Sequence, residues 1–178
     1  MSESSSNTAR HNPHSDVVRV ADLDPAGLTQ LLNRYQLDIE YVTDQQTIPG
    51  SFWGDEEAGL IENRLYVRAD TPAHSLLHEA CHYICMDPQR REHLHTNAGG
   101  DYDEENAVCY LQILLADHLP PLNKSRMMAD MDLWGYSFRL GCAQRWFEED
   151  AQETRHWLQT KGLIDAAETP TWVLRTTL

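Results

Sequence analysis

The sequence predicts an α+β fold in which a mostly helical domain carries a small antiparallel sheet. Its 178 residues, 41% of them hydrophobic, are enough for one domain with its own core. Apolar residues recur first with helical spacing, then with the alternation of strands, and then with helical spacing again. We find no internal repeat and no linker between domains. Residues 17–178 are therefore expected to form a single domain, preceded by a disordered tail over residues 1–16 that is rich in Ser, Asn and His.

The first elements are a helix and a group of short strands. Asp24 and Pro25 are typical of an N-cap and a first helical turn, and the apolar spacing that follows predicts a helix ending near Gln36. Alternating apolar residues and a Pro-Gly turn then predict strands over residues 37–42, 51–54, 60–61 and 65–67.

Two long helices occupy the middle of the chain. Thr71 as N-cap and Pro72 in the first turn predict a helix that runs to about Met86 and stops before an Asp-Pro pair. A polar loop over residues 89–102 and a second long helix over residues 103–118 follow.

The remainder of the chain is predicted to be mostly helical. Apolar spacing predicts helices over residues 127–147 and 149–160, with a break near Gly135 or Gly141. Residues 171–174 fit a last strand or an extended tail.

The charge balance excludes several classes of function. The net charge is -14, from 14 basic and 28 acidic side chains, and this disfavours binding to nucleic acids or to anionic lipid surfaces. We see no apolar run long enough for a membrane span and no signal peptide. The four cysteines mostly lie in apolar helical patterns and are expected to be reduced thiols, so we expect a cytoplasmic protein.

The first long helix carries the pattern H-E-x-x-H, formed by His78, Glu79 and His82. Residues four apart project from the same face of a helix, so the two imidazoles can bind one zinc ion. The intervening glutamate lies beside the metal and can take a proton from its bound water. This is the arrangement for metal-assisted hydrolysis.

A catalytic zinc ion usually has a third protein ligand, which should lie downstream. The loop offers His93, His95, Asp101 and Asp103, and the next helix begins with Glu104 and Glu105. Glu104 lies on the apolar stripe of its helix, where a carboxylate is costly unless it meets a charge partner or a metal. Glu105 lies on a less apolar line with Cys109, Gln112 and Ala116. Helical phase therefore favours Glu104 as the third ligand, with Glu105 as the alternative.

Other polar residues could serve the same site. His74 lies four residues before His78 and could pair with it, although that pairing would leave Glu79 without a role. The candidates for a donor to the developing oxyanion, or for a partner of the ligands, are His93, His95, Tyr102 and Tyr136.

The order of elements resembles the ImmA/IrrE family of metallopeptidase-like proteins, within the zincin group. The similar features are the motif helix at residues 76–83, the E-x-x-A pattern that begins at Glu104, and the ending of that helix at Pro120-Pro121. The resemblance extends over about residues 24–165. It implies a zincin-like fold with zinc at His78, His82 and Glu104, and with Glu79 as the general base. Val108 departs from the Asp or Asn that often follows the family's E-x-x-A.

Motif, helical phase and resemblance together predict a zinc metallopeptidase that cleaves a protein or peptide substrate, with regulatory proteins as one class. The alternative is a zincin-like metal-binding protein with weak or no activity, which acts through a protein partner. The acidic balance would suit a basic partner. Two histidines and a carboxylate also suit iron or manganese, so the identity of the metal stays open.

Overall fold

A computed structural model describes residues 16–51, 56–95 and 97–178. In these residues it confirms the α+β class. The helices are α1 (Pro25–Arg34), α2 (Ala73–Cys85), α3 (Pro88–Glu92), α4 (Tyr102–Ala116), α5 (Lys124–Trp134), α6 (Ala143–Arg145) and α7 (Gln152–Thr160). The predicted tail and the predicted strand over 51–54 lie outside the described residues, apart from Asp16 and Ser51.

The sheet is mixed, so the prediction of an antiparallel sheet is wrong for one of its two pairings. Its strands are β1 (Asp38–Tyr41), β2 (Gly59–Ile61) and β3 (Arg64–Val67), in the order β1-β3-β2. β2 and β3 are antiparallel because only residues 62–63 join them. β1 runs parallel to β3 because β2, which lies between them in the sequence, runs opposite to β1 and brings the chain back before β3 begins.

The first helix begins as its sequence predicts. The Asp24 carboxylate accepts a hydrogen bond from the amide of Gly27 at 2.9 Å, which satisfies one of the free amides of the first turn. Leu28, Leu31 and Leu32 are buried, as helical spacing requires. The regular helix ends at Arg34, two residues before the predicted end.

The central pair of helices, α2 and α4, packs together and contributes many of the core residues. α2 begins one residue later than predicted, with Pro72 as its N-cap. The Thr71 hydroxyl accepts from the amide of Arg68 at 2.9 Å and so closes the preceding turn instead. α4 is capped by Asp101, whose carboxylate accepts from the amide of Glu104 at 2.9 Å.

The segment between α2 and α4 contains a helix that the sequence analysis missed. Asp87 and Pro88 end α2, but they also form the N-cap and first residue of α3. The side chain of Asp87 accepts from the amide of Arg90 at 3.0 Å. The Asp-Pro pair therefore marks both the end of one helix and the start of the next.

The C-terminal part confirms the break at Gly135, which ends α5 in the left-handed conformation with φ of 99°. Beyond this break, a turn of 3-10 helix (Arg139–Gly141) and a π-helical turn (Trp146–Asp150) stand where the sequence predicts further α-helix. Residues 171–174 form no strand, and Trp172 within them has a positive φ of 62°.

Two further findings concern the state of the cysteines and the search for membrane-spanning helices. All four cysteines are free thiols, as expected: Cys81, Cys85 and Cys109 are buried, and Cys142 is partly exposed. None of the helices in the described parts of the chain is both long enough and apolar enough to span a bilayer.

Candidate metal centre

Three side chains converge where α2 meets α4. The Nε2 atoms of His78 and His82 lie 3.1 Å apart. The two carboxylate oxygens of Glu105 lie 3.1 Å from Nε2 of His78 and 3.3 Å from Nε2 of His82. These ligand atoms all lie within 4.8 Å of one another, which is compatible with shared coordination of one metal ion. We refer to these three residues as the triad.

The helical spacing of the motif explains this convergence. His78 and His82 are one turn apart on α2, so their imidazoles leave the helix on the same side. Both are largely covered, whereas the side chain of Glu105 is 49% exposed. The triad therefore opens to solvent on the side of Glu105, where water or a substrate could approach.

The prediction of Glu104 as the third ligand is not borne out, because its carboxylate lies elsewhere. Arg90 donates to both of its oxygens, and Arg175 donates to Oε2 at 3.2 Å. Glu104 does lie in the core, as its helical phase predicts, and two arginines supply the charge partner that a buried carboxylate needs. The structure brings the alternative, Glu105, to the histidines instead.

Glu79, the predicted general base, follows His78 directly on α2 and is partly buried. Burial is the largest effect on its carboxyl and raises its pKa to about 7. His78 opposes this shift, while the nearby carboxylates of Glu105 and Glu57 add to it. A carboxyl with this pKa could exchange a proton near neutral pH.

The surroundings also affect the ligands themselves. Burial, followed by repulsion from His78, lowers the pKa of His82 to about 4. Burial would raise the pKa of Glu105, but its hydrogen bond to His78 and its attraction to both histidines lower it overall. A neutral His82 and an ionised Glu105 are the protonation states that a metal ion requires of its ligands. His78 differs: burial opposes its protonation, but Tyr136, Cys109 and Glu105 raise its pKa well above the usual value, so a metal ion would have to displace a proton from this ring.

Behind His78 lies a polar residue that the sequence analysis did not select. Oε1 of Gln112 lies 2.9 Å from Nδ1 of His78. The side-chain amide of Gln112 in turn donates to the backbone carbonyl of His74 at 3.0 Å. Gln112 is fully buried in α4. Its polarity within an apolar helix, on the same line as Glu105, is the signal that could have identified it.

His74 belongs to a neighbouring cluster of rings and not to the triad. Its Nδ1 lies 3.2 Å from the hydroxyl of Tyr136, and its ring contacts that of Trp134 at 4.9 Å between centroids. Trp134 also donates to Glu57 at 2.7 Å, and this carboxylate accepts from Ser75 as well. The polar groups behind the triad therefore form a second set of contacts, which the sequence did not reveal.

The candidates for an oxyanion donor lie in different places. The ring of Tyr136 packs edge-on against that of His78, with centroids 5.6 Å apart, so it is adjacent to the triad. His93 is exposed at the end of α3, and its Nδ1 lies 3.0 Å from the backbone carbonyl of Gln89. His95 pairs with Ile61 in an isolated bridge, and Tyr102 is exposed at the start of α4. Tyr136 is thus the candidate that the structure brings to His78.

A cavity of about 690 Å³ lies between the start of α4 and α7. Tyr102, Trp146, His156 and Trp157 are among its lining residues, and none of the triad belongs to the lining. It is therefore separate from the candidate metal centre.

Comparison with protein-family models, with curated proteins and with solved structures finds no match for this chain. The resemblance to the ImmA/IrrE family accordingly stays a prediction from the motif and the order of elements.

Proposed function

We propose that the protein binds a divalent metal ion, with zinc as the first candidate, at His78, His82 and Glu105, and that it hydrolyses peptide bonds there. The observation that carries the proposal is the convergence of two Nε2 atoms with one carboxylate at distances of 3.1–3.3 Å. Two histidines and one carboxylate are the protein ligands of a large class of hydrolytic zinc sites.

The proposed reaction assigns a role to each of these groups. A bound metal ion supplies a Lewis acid that polarises a carbonyl and acidifies water. Glu79 lies next to His78 and would take the proton of the attacking water and pass it to the leaving amine. Tyr136 lies beside His78 and is the nearby donor that could face the developing oxyanion. The choice of a peptide as substrate rests on the resemblance noted above.

The metal site is tested by elemental analysis of purified protein. We expect one metal ion per chain in the wild type and almost none in His78→Ala. The control is His156→Ala, which removes an exposed histidine on α7, outside the triad. Equal metal content in wild type and His78→Ala would contradict the proposed site.

The hydrolytic role is tested with Glu79→Gln, which removes the base and none of the ligands. With a library of quenched fluorescent peptides, we expect cleavage to fall by about 10²- to 10⁴-fold while metal content is unchanged. Glu153→Gln, an exposed position on α7, is the matched control. If the metal-loaded wild type cleaves no peptide, the proposed peptidase activity is wrong, and the alternative of a metal-binding protein with weak or no activity is favoured.

A further inference from the structure

We infer that Gln112 is a positioning residue for the candidate metal centre: it accepts the Nδ1 proton of His78 and so keeps Nε2 of that ring free for the metal. A histidine that binds a metal through Nε2 carries its proton on Nδ1, and a hydrogen bond at Nδ1 fixes both the tautomer and the ring orientation. The inference follows from the distance of 2.9 Å between Nδ1 of His78 and Oε1 of Gln112, and it rests on the proposed metal site.

The orientation of the Gln112 amide is itself fixed. Its nitrogen donates to the backbone carbonyl of His74 at 3.0 Å and lies 3.5 Å from the sulfur of Met127. Turning the amide over would set its oxygen against the backbone carbonyl of His74. That contact between two acceptors would be repulsive in a fully buried place, so Gln112 presents its oxygen, an acceptor, to His78.

α4 therefore contacts both nitrogens of the same imidazole. Glu105 approaches Nε2 of His78, and Gln112, two turns further along the same helix, approaches Nδ1. His82 has no equivalent support: its Nδ1 is buried and has no hydrogen-bond partner among the described residues. His78 is thus the ligand whose ring orientation the protein fixes, and loss of Gln112 should lower the affinity for the metal.

The test compares Gln112→Met with Gln112→Glu. Methionine is similar in length and removes the acceptor, whereas glutamate keeps an acceptor but adds a buried charge. If Gln112 only fills space, methionine should be tolerated and glutamate should be damaging. If Gln112 positions His78, we expect the affinity for Zn²⁺, measured by competition with a chromophoric chelator, to fall about 10- to 100-fold in Gln112→Met and to stay within a few-fold in Gln112→Glu. The control is Leu111→Met, a buried position next to Gln112.

A second readout needs no metal. Nuclear magnetic resonance of protein labelled with ¹⁵N in histidine should show a proton on Nδ1 of His78 in the metal-free wild type and in Leu111→Met, and its loss in Gln112→Met. An Nδ1 proton that is absent in the wild type, or unaffected by Gln112→Met, would overturn the inference whatever the metal does. If the proton behaves as expected but the wild type binds no Zn²⁺, the proposed metal site fails and the positioning role fails with it.

Discussion

Two neighbouring carboxylates of α4 end in opposite environments. Glu104 is enclosed, with a side chain that is 4% exposed, and it pairs with Arg90 and Arg175. Glu105 is 49% exposed and faces the two histidines of α2. Consecutive residues of a helix point roughly 100° apart, so one step along the chain moves a carboxylate from one environment to the other.

The comparison distinguishes a carboxylate that forms ion pairs within the fold from one that can bind a cation. The oxygens of Glu104 accept from the guanidinium groups of Arg90, which is partly exposed, and Arg175, which is buried, so this carboxylate holds elements together and offers nothing to a ligand. Glu105 faces imidazoles and solvent, so a cation can reach it. If this division is right, substitutions at the two positions should affect different properties.

The largest expected effect is on stability, at Glu104. Glu104→Ala leaves Arg175, which is 7% exposed, as a buried charge with its carboxylate partner removed. We expect the free energy of unfolding, measured by urea denaturation, to fall by about 3–5 kcal/mol. The exposed Glu153→Ala serves as the control. A loss below about 1 kcal/mol would mean that the arginines do not depend on this carboxylate.

The next effect is on metal binding, at Glu105. Glu105→Ala removes a proposed ligand, so the affinity for Zn²⁺ should fall by more than about 100-fold, which exceeds the usual loss for groups that only orient a ligand. Since the side chain is half exposed, the stability of the metal-free protein should change by less than about 1 kcal/mol. The affinity is measured against a competing chelator. Comparable losses of affinity in folded Glu104→Ala and in Glu105→Ala would erase the distinction between the two residues.

The smallest effect concerns the backbone just before α4. Gly100 has φ of +108°, and a Cβ there would lie 2.8 Å from Oε1 of Glu104. Gly100→Ala should therefore lower the free energy of unfolding by about 1–2 kcal/mol, from backbone strain and from pressure on Glu104. The control is Gly99→Ala. Gly99 also has a positive φ, but a Cβ there would meet nothing within 4 Å. Thermal or urea denaturation of both should show the larger loss at Gly100, and equal losses would exclude the contact with Glu104.

Features that depend on short sequence spacing were predicted well. The Asp24 cap, the helix that carries His78 and His82, and the break at Gly135 each depend on residues within a few positions. Features that depend on distant partners were not. The parallel pairing of β1 with β3 is set by the path of the intervening chain, which no local pattern encodes.

The choice between the two glutamates shows the same limit. The sequence indicated that Glu104 is buried and needs a cation, but one of the cations that it meets is Arg175, 71 residues away. Helical phase gives the direction of a side chain from its own helix, and it cannot tell which residue arrives there. Gln112 was missed for the same reason, since its importance depends on His78 in another helix.

The separation of Glu104 and Arg175 in the sequence also affects the order in which their contacts can form during synthesis. A ribosome adds about 5–20 residues per second, so roughly 4–14 seconds separate the synthesis of these two residues. During that interval Arg90, which precedes Glu104 by 14 residues, is the one of its two arginine partners that has been made. The face of α4 that bears Glu104 can therefore close only after Arg175 has been synthesised. The histidines and Glu105, all made earlier, could assemble before it does.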